Sequence, residues 1–391
     1  MTDPLAVWLG DDRVGELILD RRGFRFHRGR GAAPLTVAVE GDEEPVEPRT
    51  AHNGRRKVTD LGPPVTAASS FDVLHFSTVF PGRALPRLIR RIESRGVQVV
   101  YDLEDTHWIP TDAGHTTELK HRARLDLAEL LESPFATGSS FGVKVNALGT
   151  DDGDRDIALL ASLLPRHRLH AIILPKVESA ATVAAFLRVC EAAGVTFEEV
   201  VPLIETTGGV DRVDDLLQGL AKANPRLPVR RIMYGANDHC LDSGRWPFWR
   251  QDEREFWETV RRLVGAIEAH GFGYVHTPFA GLQAPVDFET VIQRLTAICQ
   301  NRFTISTLDE AQTTAALRYR DGVPSTPGAP RDASLSDGEA LALAHRVVKL
   351  FEERRGRDHG FVIDSRDGRF IPPHEYVAAL RHIERRTSAR P

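Results

Sequence analysis

Five apolar runs in succession end in residues able to do acid, base or cation chemistry: first Asp102, Glu104 and Asp105, then Lys144 and Asn146, then Lys176 and Glu178, then Glu205, then Asn237 and Asp238. Glu205 and Asp238 stand apart from any cysteine or clustered histidine. Two such carboxylates suit a hard cation that keeps its waters and takes substrate oxygens, Mg²⁺ first and Mn²⁺ as the alternative. After Glu205 the run TTGGV brings Gly208 and Gly209, which allow a tight turn into a helix whose first N–H groups would hold a carboxylate. A cation beside an anion pocket fits a 2-keto acid, with the metal acting as a Lewis acid on the enolate left when the adjacent carbon–carbon bond breaks, or about to attack when it forms. Helix capping is the competing explanation for Asp105, Thr206 and Asp238. It does not cover Lys144, Lys176 or Glu205, since neither Lys nor Glu is a preferred cap.

Positioning these residues requires elements that end together. From Phe71 onward, short apolar runs alternate with longer amphipathic stretches. The runs are Val73 to Val79, Val97 to Leu103, Phe141 to Val145, Ala171 to Leu174, Val200 to Ile204, Arg231 to Tyr234, Gly273 to Val275 and Arg302 to Ile305. Stretches such as EFWETVRRLVGAIEAHG between them are apolar at helical spacing. Eight strands with intervening helices predict an α/β fold, a (β/α)8 TIM barrel over residues 71–320, whose site lies at the C-terminal ends of the strands. A doubly wound open sheet would absorb the same pattern, but no GxGxxG follows the first strand. Residues 1–70 predict a small β-rich segment followed by a polar, Pro-rich linker over 41–64, and residues 321–391 a linker and a helical lid.

Composition narrows the function classes. The 391 residues carry 50 Lys plus Arg against 55 Asp plus Glu, a formal charge of -5, so there is no global electrostatic reason to bind nucleic acid or an anionic membrane. Cys190, Cys240 and Cys299 form no CxxC pair, which suggests neither a disulfide framework nor a structural zinc site. The N-terminal residues MTDPLAVWLGDDR place acids where a signal peptide needs bases, and no run reaches the ~18 apolar residues of a membrane span, so a cytoplasmic protein is expected.

Several motifs together resemble the citrate lyase β-subunit-like and HpcH/HpaI aldolase superfamily, which includes malyl-CoA and citramalyl-CoA lyases. They are YDLEDT (Tyr101 to Thr106), KVNALGT (Lys144 to Thr150), AIILPKVESA (Ala171 to Ala180), PLIETTGGV (Pro202 to Val210) and YGANDHCLD (Tyr234 to Asp242). The resemblance implies a TIM barrel with Glu205 and Asp238 as ligands of Mg²⁺, a homo-oligomer (trimer or hexamer), and the making or breaking of carbon–carbon bonds next to a keto acid, commonly with a CoA thioester as partner. Lys144, Glu104 and Asp105 are then the catalytic candidates, and Asn146, Lys176, Gly208 and Gly209 the substrate-binding ones. Departures from the family pattern are visible. Lys144 stands where the family has Arg, and a point charge does not reproduce a bidentate guanidinium grip. His75 stands for an upstream Arg near Phe80-Pro81-Gly82, and ISTLDEAQ (Ile305 to Gln312) for an Ile-His-Pro motif. The lid, which in acyl-CoA lyases of the family brings an Asp to a neighbouring subunit, has Pro372 at that place, with Asp364, Asp367 and Glu375 nearby.

The expected function is a Mg²⁺-dependent carbon–carbon lyase or aldolase acting on a 2-keto acid or its aldol or Claisen adduct. Two alternatives stand beside it. One is a CoA-independent aldolase in which His107, His239 or His276 serves as base, since an imidazole titrates near working pH. The other is a non-catalytic ligand-binding barrel that has lost the lid acid.

Overall fold

The computed structural model describes the backbone of residues 5–9, 12–20 and 23–28, and residues 71–388 apart from 79–83, 134–139, 165, 224–226, 283–284, 323–334 and 354–358, with backbone alone at 84–86 and 285–286. The chain divides into two compact units, Met1–Pro64 and Val65–Pro391. In the first, β1 (Leu5–Leu9), β2 (Asp12–Asp20) and β3 (Gly23–Arg28) form an antiparallel sheet in sequence order. The expected linker over 41–64 and the Pro- and Gly-rich stretch over 323–334 lie outside the described residues, as do Phe80, Pro81 and Gly82.

The second unit is built on eight parallel strands: β4 (Asp72–Thr78), β5 (Gln98–Asp102), β6 (Ser140–Lys144), β7 (Arg168–Leu174), β8 (Glu199–Ile204), β9 (Arg231–Tyr234), β10 (Gly273–Val275) and β11 (Thr304–Thr307). β11 pairs with β4, Ile305 opposite Val73, and the sheet closes into a (β/α)8 barrel. Each of the eight apolar runs in the sequence overlaps one of these strands. Apolar side chains on both faces explain why the strands read as continuous apolar runs rather than alternating ones. On β7, Ile172 and Leu174 pack outward against the helices while Ala171 and Ile173 fill the barrel; on β8, Val200 and Ile204 pack outward and Val201 and Leu203 inward.

That alternation also positions the site. Continuing the inward parity beyond the core layer brings Asp102 after Val100, Lys144 after Gly142, Glu205 after Leu203 and Thr277 after Val275 to the barrel mouth, where all four line one cavity. The chain then returns over that mouth. A helix from Asp337 to Glu352, opened by a Ser336–Glu339 capping box, leads to an antiparallel pair, β12 (Val362–Asp364) and β13 (Arg369–Ile371), and to a last helix, Pro373–Ser388. Ala344, Val347, Ile371, Tyr376 and Ala379 form a small core of their own. Backbone bonds then fasten this segment to the barrel loops, from Phe370 N–H to the Ala280 carbonyl (2.8 Å) and from Gly360 N–H to the Thr106 carbonyl (2.7 Å). Gly360 has to be glycine, because a Cβ there would lie 2.2 Å from the Trp108 carbonyl oxygen. No described helix is long and apolar enough to cross a membrane.

Candidate active site

Four acids and three cationic or imidazole side chains converge at the strand ends. Lys144, the last residue of β6, pairs with Asp105 and lies 3.0 Å from Glu104 Oε2. Lys176 Nζ stands 2.8 Å from Glu104 Oε1, 3.2 Å from Asp238 Oδ1 and 3.6 Å from Glu205 Oε1. Parity alone would turn Lys176 outward, but it adopts a left-handed backbone (φ 54), and its N–H donates to Glu205 Oε1 at 3.0 Å. A non-glycine residue is held there only by its surroundings. Glu205 is buried to 1 % exposure and fits because Gly235 faces it: a Cβ on Gly235 would lie 2.6 Å from Glu205 Oε2.

The seventh member comes from the lid. His374, in the first turn of the last helix, is buried against the edge of the Trp108 ring, with its Nε2 3.1 Å from Asp238 Oδ2 and 3.4 Å from Asp105 Oδ1. Sequence reasoning passed over it in favour of three nearby acids, each of which is engaged elsewhere. Asp364 pairs with Arg346, Glu375 with Arg369 (2.8 Å), and Asp367 accepts from the Arg369 N–H (3.1 Å). The available signal was an imidazole two residues beyond Pro372, just inside a helix opened by Pro373.

Electrostatics couple the group. Burial pushes Glu205 up and Asp238 adds to it, so its carboxyl stands well above the usual range despite Lys144 and Lys176. Burial opposes charge on Asp105 as well, but Lys144 and His374 outweigh it and hold that carboxyl well below the usual range. Lys144 is raised well above the ordinary lysine value, the attraction of Asp105, Glu104 and Glu205 overcoming its own burial. His374 is raised to about 10 because Asp238 and Asp105 override the desolvation of the ring.

This donor set fits a divalent cation. Asp105 and Asp238 offer carboxylate oxygens within 4.8 Å of one another, His374 between them carries a proton rather than a ligand lone pair, and Glu205 and Asp238 already share the Lys176 ammonium between them. Oxygen donors predominate, as a hard cation requires.

Not every candidate reaches this site. Asn146 is buried beneath it, donating through Nδ2 to the Leu103 carbonyl (3.0 Å) and Asp156 Oδ2 (2.8 Å), while Lys120 donates to its Oδ1. It steadies the strand ends, and its polar atoms are committed. Gly208 and Gly209 also lie off the cavity. Two of the N–H groups expected to hold an anion there are already taken, because Thr206 caps the short helix by accepting from Gly209 N–H (3.0 Å) and Asp242 takes the Thr207 N–H (2.7 Å). Capping thus accounts for Thr206 but not for Asp238, which sits inside the helix Ala236–Asp242 behind Gly235. The three candidate bases stand apart as well. His107 donates to the Asp102 carbonyl (3.2 Å), His239 pairs with the Tyr234 hydroxyl (2.8 Å), and His276 lies between Tyr274 (3.0 Å) and Gln251 (3.0 Å). Burial lowers His107 to about 4 and His276 to about 3.

The cavity above the charged cluster measures about 340 Å³. Asp105, Lys144, Glu205, Asp238 and His374 line one part of it, and Phe76, Leu282, Leu308, Phe361, Ile363 and Phe370 another.

Comparison with known proteins adds a family. The sequence profile of the HpcH/HpaI aldolase/citrate lyase family matches residues 66–300, more than half of the chain. No curated protein sequence matches it. Among solved structures, the citrate lyase β subunit of Mycobacterium tuberculosis with oxaloacetate and magnesium is similar at 21% identity, over 66% of this chain and 99% of that one, with a TM-score of 0.47. The protein CitE of the same organism, in complex with magnesium, acetoacetate and coenzyme A, aligns over 81% of this chain and 100% of that one at 21% identity and a TM-score of 0.48. RipC of Yersinia pestis aligns over 66% and 96% at 20% identity and a TM-score of 0.45. On the extent of the profile match, the chain belongs to the HpcH/HpaI aldolase/citrate lyase family.

Proposed function

We propose that the protein is a divalent-cation-dependent carbon–carbon lyase or aldolase that makes or breaks the bond next to a 2-keto acid. One observation carries this reading: in a chain of the aldolase/citrate lyase family, Glu205, Asp238, Asp105, Lys144 and His374 line a single cavity at the C-terminal mouth of the barrel. Glu205 and Asp238 would hold Mg²⁺, which supplies Lewis acidity toward the keto oxygen and the carboxylate of the substrate. Lys144 presents a fixed positive charge beside that place, kept protonated by Asp105 and Glu104, and favours the negative charge of an enolate over the neutral keto form. His374 carries a proton at Nε2, held between Asp238 and Asp105. It is placed to give that proton to the oxygen of the new alcohol in the forming direction and to take it back in cleavage. The lid that carries His374 excludes water from the enolate, which would otherwise be protonated and lost.

A crystal soak with Mg²⁺ and pyruvate tests the assignment. Density for the cation against Glu205 and Asp238, with the pyruvate keto oxygen turned toward Lys144, is the expected result. Pyruvate bound elsewhere, or no cation at these two carboxylates, would count against it.

A further inference from the structure

Away from its charged floor the cavity is walled by carbon. Phe76 and Leu308 contribute from the barrel, Leu282 from a barrel loop, and Phe361, Ile363 and Phe370 from the lid. Ile363 is 37% exposed, one of only three large apolar side chains so exposed among the described residues, and the one of them that faces this cavity. Apolar surface left open toward a cavity gains stability when a ligand covers it.

The charges in the cavity lie at one end. Among the described lining residues the cationic or imidazole side chains are Lys144, His75 and His374. Lys144 and His374 are engaged with carboxylates, while burial keeps His75 neutral by lowering it to about 4, its ring bonded to Thr313 (3.0 Å). Among the described lining residues a second carboxylate or a phosphate on the substrate would therefore meet carbon, and no cation that lacks a carboxylate partner.

Building on the carbon–carbon lyase reading above, we infer that this cavity selects an uncharged apolar group, an aliphatic or aromatic aldehyde, as the partner of the keto acid. In the forming direction pyruvate gives up a C3 proton and C3 bonds to the aldehyde carbon. The carbonyl π pair moves to the aldehyde oxygen, which takes up one proton, and the product is a 4-hydroxy-2-keto acid. Cleavage is the reverse, so one proton leaves and one returns in either direction.

The test uses the full chain with Mg²⁺ and pyruvate, offered hexanal, benzaldehyde, glyoxylate, succinic semialdehyde or acetyl-CoA. Hexanal and benzaldehyde are expected to show kcat/KM at least tenfold above the charged acceptors. Ile363→Glu, a change on an exposed lid strand, should lower the ratio of hexanal to succinic semialdehyde at least tenfold. Calorimetry of the metal-free protein should show saturable binding of benzyl alcohol, weakened by Ile363→Glu, and none of succinate. A preference for glyoxylate, succinic semialdehyde or acetyl-CoA, an unchanged ratio in Ile363→Glu, or no benzyl alcohol binding overturns the inference. Loss of the underlying reading looks different: pyruvate would exchange none of its C3 protons with D2O, whatever benzyl alcohol does.

Discussion

His374 Nε2 lies 3.1 Å from Asp238 Oδ2, which ties the last helix of the chain to the short helix after the sixth barrel strand. The contact joins the C-terminal segment to one of the two carboxylates proposed to hold the cation. In this arrangement a buried imidazole adjoins both Asp238 and Asp105.

His374→Ala is therefore expected to lower kcat for cleavage of a 4-hydroxy-2-keto acid by about 10²- to 10⁴-fold, the usual contribution of a positioned acid–base group. Saturable Mg²⁺ binding should survive, because Glu205 and Asp238 remain. Steady-state kinetics with calorimetry would check both, and an unchanged kcat would remove His374 from the chemistry.

Lys176 holds a positive charge among Glu104, Asp238 and Glu205, where it would compete with the proposed divalent cation. Lys176→Met should tighten Mg²⁺ binding by about tenfold or more, since a unit charge a few ångströms from a second cation costs several kcal/mol even at an effective dielectric of about 20. Its melting temperature should become Mg²⁺-dependent, three acids being left to repel one another. Glu205→Gln and Asp238→Asn should weaken binding instead. Calorimetry on the three variants decides, and equal Mg²⁺ affinity across them would place the cation elsewhere.

Gly235→Ala tests the fit of Glu205. The added Cβ would come 2.6 Å from Glu205 Oε2 and 2.7 Å from its Cβ, so the carboxylate has to move. A stability loss of about 1–3 kcal/mol is expected from the overpacking, together with weaker Mg²⁺ binding. Denaturant melts and metal titration read the two effects separately, and normal Mg²⁺ binding would show that Glu205 does not need its present position.

Stability should fall in mild acid. His75 and His107 are each lowered by burial to about 4 and His276 to about 3, so the folded state holds all three neutral while the unfolded chain protonates them near 6.5. Groups lowered in the folded state contribute stability above the unfolded value and lose it as pH falls. The loss begins near pH 6.5, continues toward pH 4 to 3, and is on the order of 3 kcal/mol per histidine by its end. Thermal melts from pH 7.5 to 4.5 should show a declining midpoint; a flat profile would mean that these rings charge in place.

The barrel was legible in sequence because each strand is buried on both faces and stands out as a short apolar run between helical stretches. Glu205, Asp238, Lys144, Glu104 and Asp105 were legible because they lie at the ends of such runs or within four residues beyond them, and strand parity points Lys144 and Glu205 inward. Lys176 was found for the same reason, though only its left-handed backbone turns its ammonium into the cluster. Asn146, Gly208 and Gly209 show the limit of that logic. A polar residue at a strand end also serves as a brace or follows a cap, and only the partners of Asn146, Thr206 and Asp242 distinguish these roles. His374 was hidden by distance, since no local pattern connects the last helix with Asp238, and the three acids beside it carried the more familiar chemistry.

Under the proposed function this site forms the enolate of a 2-keto acid. Proton NMR of pyruvate in D2O with the full chain and Mg²⁺ measures that step without any second substrate. Loss of the C3 methyl signal is expected at a rate proportional to enzyme, abolished in Glu205→Gln and in Lys144→Met and restored in part by Lys144→Arg. Retention of the methyl signal by the wild-type chain, or exchange that persists undiminished in Glu205→Gln, would contradict it.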